Sequence, residues 1–372
     1  MEVVYQCLSC FLLLAALLPL LPHPHWIFRI WEYGRIQAFV LQLAVLTLGF
    51  FVHPHNALFW FLQGALFLLA VHNVWLLAPY TPIFRKKHRV EKESESVSVL
   101  SVNVYQFNTE YDKLLQLVRA EEPDILLTME SNGGWQEALD TLSDIYPHAQ
   151  KVPLENTYGM HFYTKLRVHK MQVHYFVADD MPSIEAELET PDGLRFTIFC
   201  VHPAPPSPTE EPTARERDGD LLSVANKVAK NDGPVLVVGD FNNVAWARSS
   251  ILFRKTSGLI DPRIGRGFVS TYHARHRWLR FPIDLFFHSP HLFIEQFCTL
   301  APVGSDHLPL YCRFFINPVD DAQEGEVETL EPGREKEVEE MIQEGKEEQG
   351  DRPAWRRSDS IQFTVYSFYF TV

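Results

Sequence analysis

Apolar residues fill three long runs near the start of the chain, roughly Val3–Leu21, Ile36–Val52 and Ala57–Tyr80. The first two lie near the lower length limit for a membrane-spanning helix, and the third exceeds it comfortably. Trp26, Trp31 and Tyr33 stand in the break between the first two runs, as residues of a headgroup belt do. A cleaved signal peptide competes for the first run, but Glu2 replaces the usual basic start and no small-x-small cleavage site follows. A two-helix hairpin with a third, interfacial helix is the other alternative. Residues 1–83 are therefore expected to be a membrane region with about three spans, followed by a charged linker over 84–96.

From residue 97 the period changes. "VSVLSVNVYQF" alternates as a strand does, "EYDKLLQLVRAEEPD" has helical spacing ahead of Pro123, and "DILLTME" is a short buried strand. A second helix, "WQEALDTLSDIYP", leads into strands at "YGMHFYTKL", "HKMQVHYFV", "SIEAELE" and "LRFTIFCVHP". A helical run, "RDGDLLSVANKVAKN", precedes "GPVLVVGDFNN", and strands follow at "PIDLFFHS" and "LPLYCRFF". Strands in such number, with hairpin-like spacing in the middle, predict an α+β or layered domain over 97–316 and disfavour a purely parallel doubly wound sheet.

Charge changes the picture at the far end. Residues 320–351 hold 14 Asp/Glu against 3 Lys/Arg, which is −11 of the total −14. The stretch 317–372 is expected to be an acidic, disordered tail, closed by the β-prone "SIQFTVYSFYFTV". The mildly acidic domain that remains argues against tight, non-specific nucleic-acid binding, which needs many cations facing phosphates. The five cysteines form no CxxC pair in the soluble part and read as free. Arg29 and Arg35 lie in the first inter-helix loop, and "FRKKHRVEK" follows the third run. The positive-inside rule then puts the domain on the cytoplasmic side of an inner or plasma membrane.

"PVGSDHLPLYCRF" places Asp306 and His307 side by side at the mouth of an apolar run, where a strand interior gains nothing from them. Other polar residues recur at strand ends: Asn103, Glu130, His202, Asp240, Asn242 and Asp284. Each alone is a solvated rim or a turn former. Their recurrence is what points to a site, because sites are commonly built where strand ends meet. His161 departs from the apolar pattern of its strand and reads as a core histidine. Arg275, Arg277 and Arg280, with nearby aromatics, could bind phosphate or form a solvated loop.

The pieces "SVNVYQ", "PDILLTME", "YGMHFYTKL", "FCVHPAPPSP", "VVGDFNN", "PIDLFFHS" and "GSDHLPL" together resemble the endonuclease/exonuclease/phosphatase family, in that family's order and over roughly 97–316. "GDFN" and "SDH" are the most specific. With helices ahead of the domain, the chain resembles membrane-anchored bacterial members. The resemblance implies a four-layer α/β sandwich, two packed β-sheets flanked by helices, with the site at one end. It implies Mg²⁺, with Mn²⁺ as a substitute, held by Glu130 with Asn103 and Asp306. His307 would be the proton-transfer group, oriented by Asp284; Asp240 and Asn242 would orient the nucleophile. His202 would contact phosphate or assist the leaving group, and Arg280 would bind substrate. A hard cation suits Glu130 independently, since Mg²⁺ binds through one or two carboxylates and keeps several waters.

The function expected is a membrane-anchored, Mg²⁺-dependent phosphoester hydrolase, chiefly a phosphodiesterase, acting on nucleic acid or on a phospholipid or small phosphodiester. Its other partner is the lipid bilayer. A catalytically silent membrane scaffold is the alternative, which a full set of site residues disfavours.

Overall fold

The computed structural model describes residues 1–53, 55–84, 92, 94–319 and 321–350. Its first part is a bundle of α1 (Glu2–Leu17), the short α2 (Trp26–Arg29), α3 (Arg35–Gly49) and α4 (Ala57–Leu77). Two helical stretches, Glu2–Leu20 and Ala57–Tyr80, are long and apolar enough to cross a bilayer. The middle one is shorter than the sequence suggests: its 15 residues rise about 22 Å, against a hydrocarbon core of about 30 Å. The helices pack through Tyr5, Leu12, Val45, Phe59, Leu62 and Leu66. Side-chain amides bind them further. Asn73 donates to the Gln42 Oε1 at 2.9 Å, Gln42 donates to the Leu66 carbonyl, and Tyr5 donates to Gln63 Oε1 at 2.7 Å. In apolar surroundings such polar groups have no better partner than one another.

The domain follows with β1 (Val97–Asn103), α5 (Tyr111–Glu121), β2 (Ile125–Met129), α6 (Gly133–Asp140), β3 (His148–Val152), β4 (Met160–Thr164), β5 (Arg167–His174), β6 (Ser183–Glu189) and β7 (Arg195–Val201). Then come α7 (Arg215–Val228), β8 (Val235–Asp240), α8 (Arg248–Ser257), β9 (Asp284–His288), β10 (Leu292–Thr299), β11 (Leu310–Ile316) and α9 (Glu335–Gly350). Two mixed sheets form, in the orders β10-β11-β1-β2-β4-β3 and β5-β6-β7-β8-β9. Each has one parallel pair at its centre, β1 with β2 and β7 with β8.

Their facing sides share one core, in which Val99, Leu127 and Phe162 meet Ile198, Leu236 and Phe286. The outer sides are covered too. Leu100 and Leu126 pack on Val118 and Trp135 of α5 and α6. Val237 and Phe287 pack on Leu221 and Phe253 of α7 and α8. Burial on both faces explains why the central strands read as unbroken apolar runs rather than as alternating ones. This is the expected four-layer α+β sandwich. Two strands, β3 and β10, and the helix α8 were not legible in the sequence. β3 is half-exposed, and the outward part of β10 carries Glu295 and Gln296.

The tail corrects an expectation. Residues 335–350 are not disordered: α9 docks on α7 and α8, with Val338, Met341 and Ile342 against Leu222 and Leu252. The two helices cross at glycines. A side chain on Gly345 would meet the Arg215 carbonyl at 2.7 Å. The acidic excess is also paired: Glu328 reaches Arg254 at 2.8 Å, Glu331 binds Lys255, and Glu337 binds Arg248. The β-prone C-terminal segment lies outside the described residues, as does most of the 84–96 linker.

The domain and the bundle share a core. Tyr33, Ile36 and Phe39 at the start of α3, with Leu77 and Tyr80 at the end of α4, join the cluster of Phe199, Phe241 and Trp246. Trp246 donates its indole N–H to the Glu32 carbonyl at 2.8 Å.

On α7, Asp220 is buried, with Oδ1 lacking a partner among the described residues. Burial pushes its pKa up to about 7. Below an unfolded value of about 4 the group is neutral in both states; between there and about 7 its burial increasingly opposes folding. Asp220→Asn should therefore raise the melting temperature more at pH 8 than at pH 4. An equal effect at both pH values would contradict this.

Candidate active site

Strand direction gathers the polar residues. β1, β2, β7 and β8 run toward one end of the sandwich, so Asn103, Glu130, His202 and Asp240 arrive there at their ends. β9 and β11 run antiparallel to β8 and β1, so Asp284 and the residues just ahead of Leu310 begin at that same end. Asp240 and Asp284 are direct cross-strand partners.

The chain turns sharply where the strands stop. Tyr105, Glu130 and Asn242 all adopt left-handed backbone conformations, with φ of 58°, 58° and 48°. Non-glycine residues rarely do so, and their clustering at one end marks a constrained site. Gly239 permits the close approach of β8 to β7, since a Cβ there would meet the Val201 carbonyl oxygen at 1.9 Å.

Asn103 is at the centre. Its NH2 donates to Glu130 Oε1 at 2.9 Å and to Asp240 Oδ2 at 3.0 Å, while its Oδ1 accepts the Tyr105 N–H. The sequence predicted this residue as a metal holder. In the structure its oxygen is used by the backbone, and its amide bridges two carboxylates instead. Glu130 Oε2 accepts the Gln106 N–H at 3.1 Å. Burial, then the charge of Asp306, pushes Glu130 up to about 7.

His307 is 4 % exposed, and its Nδ1 lies 2.7 Å from Asp284 Oδ2. Thr271 donates to the same carboxylate oxygen. The other ring nitrogen lies 3.7 Å from Asp240 Oδ2. Burial alone would depress His307, but Asp284, then Asp240, outweigh it and hold the imidazolium up to about 10. Asp240 itself is pushed up to about 7 by burial and then by Asp284. His202 is the opposite case. Burial, then the neighbouring His307 charge, pushes it down to about 3, so it is neutral. Its Nε2 lies 3.9 Å from Asp240 Oδ2, and its buried Nδ1 has no partner among the described residues.

Two predicted residues serve differently. Arg280 donates to the carbonyls of His273 at 3.2 Å and Ala274 at 2.6 Å, so it ties its own loop together. Asn242 donates to the Pro203 carbonyl at 2.9 Å, latching the turn after β8 to the one after β7. His161 is fully buried in β4, and burial pushes it down to about 4, as a core histidine.

The sequence missed Thr271 and Tyr272. The Tyr272 ring lies 5.0 Å from that of His307. Burial, then Asp306 and Asp240, pushes its hydroxyl up to about 12. Nothing in "VSTYHAR" distinguishes such residues from loop filler.

Donor atoms of Asp240, Asp284 and His307 lie within 4.8 Å of one another. His307 and Asp284 are already spent on each other and on Thr271. Glu130 and Asp306 are further oxygen donors at this end of the sandwich, of the kind a hard cation takes.

The endonuclease/exonuclease/phosphatase family model matches residues 100–307. Among solved structures, TDP2 of D. rerio complexed with single strand DNA product has a TM-score of 0.50 and 17% identity, covering 59% of this chain and 99% of that one. The human Nocturnin catalytic domain with bound sulfate has 0.49 and 19%, covering 61% and 97%. A mannosyl-6-phosphatase of Bacteroides thetaiotaomicron has 0.47 and 17%, covering 59% and 100%. Curated proteins give no match. At these identities the likeness is one of fold.

Asn103→Leu keeps the number and branching of side-chain heavy atoms and removes the bridge. It should destabilise the protein by roughly 1–3 kcal/mol, from unsatisfied carboxylate oxygens, and lower the melting temperature by about 2–10 °C. A variant as stable as the parent would show that the bridge is not needed.

Proposed function

The chain belongs to the endonuclease/exonuclease/phosphatase family, whose members hydrolyse phosphoester bonds, and from that premise we propose a membrane-anchored phosphoester hydrolase that uses a divalent cation at Glu130 and Asp306. The observation that supports the proposal is the placing of the His307–Asp284 pair at the same end of both sheets as the Glu130 and Asp240 carboxylates that Asn103 bridges.

Mg²⁺, or Mn²⁺ in its place, fits the oxygen donors present. When bound, the cation would neutralise charge on a phosphate oxygen. The protein's own groups supply the rest. His307, kept protonated by Asp284 and Asp240, offers a positive N–H donor to the phosphate. In this reading it serves as an acid and charge stabiliser. Asp240, pushed up to about 7, is suited to take a proton from the attacking water near neutral pH. The neutral His202 can donate or accept a hydrogen bond beside it. Asn103 keeps Glu130 and Asp240 at fixed positions, so each is ready in place before substrate arrives. The stretches Glu2–Leu20 and Ala57–Tyr80 would anchor the enzyme in a bilayer, with the domain on the cytoplasmic face.

Two substitutions test these roles. Glu130→Gln should abolish the cation-dependent hydrolysis of bis-p-nitrophenyl phosphate while the circular-dichroism spectrum stays that of the folded parent. Retained activity would remove the cation from Glu130. His307→Ala should lower turnover about 10²–10⁴-fold, and a loss no greater than that of a surface His→Ala control would mean that His307 has no part in the reaction.

A further inference from the structure

The loop from Thr271 to Phe281 joins the cleft to the membrane bundle. Its inner end belongs to the site: Tyr272 lies against His307, and Ala274 donates its N–H to the Asp306 carbonyl at 2.6 Å. Its outer end is a short turn, Arg277–Leu279, within the sequence Arg275-His276-Arg277-Trp278-Leu279. All five residues are exposed, and Trp278 is 90 % so. An indole ring carries a large apolar face, which water disfavours and the headgroup layer of a bilayer accepts.

The height of this turn is set by the bundle. The Trp278 carbonyl accepts the side-chain N–H of Gln37 at 2.9 Å. Gln37 stands in the first turn of α3, beside Ile36 and Phe39, which pack on the domain. The end of α4, at Leu77 and Tyr80, packs on the domain as well. Beyond this level the helices present apolar surface outward, through Val40, Leu43, Phe67, Leu68, Val71 and Trp75. The turn therefore sits where the bundle passes from domain contact to lipid-facing surface. The cleft is close by on the same side: Tyr33, two residues ahead of α3, donates to the Asn242 carbonyl, in the turn that follows Asp240.

We propose that the 275–279 turn enters the headgroup layer beside α3, and that the substrate of the site is the phosphoester of a lipid in that same membrane. The second part rests on the hydrolase reading above. Exposed Arg275 and Arg277 flank the ring with the charge that anionic headgroups attract. A nucleic acid is the less suited substrate. It would have to enter between an anionic bilayer surface and a domain that is itself mildly acidic. In the reaction a water oxygen bonds to phosphorus, one P–O ester bond breaks, and the departing oxygen takes a proton; only water is consumed.

The test uses the full-length protein in vesicles of phosphatidylcholine and phosphatidylglycerol, doped in turn with sphingomyelin and phosphatidylinositol. Brominated acyl chains should quench a component of tryptophan fluorescence that is missing in Trp278→Phe. Quenching identical in the two proteins would overturn the placement of the turn. The wild type should release water-soluble products from at least one vesicle lipid. Trp278→Ala with Leu279→Ser should lower that rate about tenfold or more, while hydrolysis of soluble bis-p-nitrophenyl phosphate stays within about twofold. Equal losses on both substrates, or wild-type cleavage of DNA or RNA without any vesicle lipid, would overturn the lipid assignment and leave the hydrolase reading standing. Failure of the wild type to cleave bis-p-nitrophenyl phosphate with Mg²⁺ or Mn²⁺ would instead defeat the hydrolase reading itself, and the lipid assignment with it.

Discussion

A single amide group, on the side chain of Asn103, stands between two carboxylates that would otherwise face each other across the cleft. A carboxylate in a desolvated place is costly unless donors or a cation meet it. Asn103 supplies the donors. Its own orientation is fixed from behind by the Tyr105 N–H, so the amide cannot turn its oxygen toward the acids without losing that bond. The acid-rich cleft depends on this arrangement. Glu130 and Asp240 are each held by one donor of the same amide, and in the proposed reaction the first would serve the cation and the second the proton.

The sandwich makes that separation possible. Because each sheet has a central parallel pair, two strands in each run toward the same end, and the antiparallel neighbours start from it. Six chain segments then deliver one or two polar groups each to a small volume, while the apolar core behind them stays dry. The left-handed residues Glu130 and Asn242 are the local cost of ending strands so abruptly. The N-terminal helical bundle is no loose tether to this body. Tyr33 and Arg217 both donate to the Asn242 carbonyl, so the start of α3 is hydrogen-bonded to the rim of the cleft.

Much of this was legible from residue order. The fold class followed from period-2 runs broken by helical ones, and the site from acids and histidines placed where apolar runs stop. The misses have physical causes. β3 carries too little apolar surface to show a period, because it is the edge strand of its sheet and no residue in it is fully buried. α9 has an acidic composition that suggests disorder, yet a narrow stripe of Val338, Met341 and Ile342 suffices because glycines let it approach α7 closely. Arg280 lies near Asp284 in sequence, and its Nε and Nη2 bind the carbonyls of its own loop, which no linear pattern reveals. Thr271 and Tyr272 reach the site only because a long loop folds back over His307. For Asn103, position was readable and orientation was not.

The division of the cleft into a cation side and a proton side is most directly tested by crystals of the protein grown with Mn²⁺ and measured for anomalous scattering. The account predicts one strong peak within coordination distance of the Glu130 and Asp306 carboxylates, with the His307–Asp284 hydrogen bond intact beside it. A peak held instead by Asp240, Asp284 and His307, with that hydrogen bond broken, would contradict it.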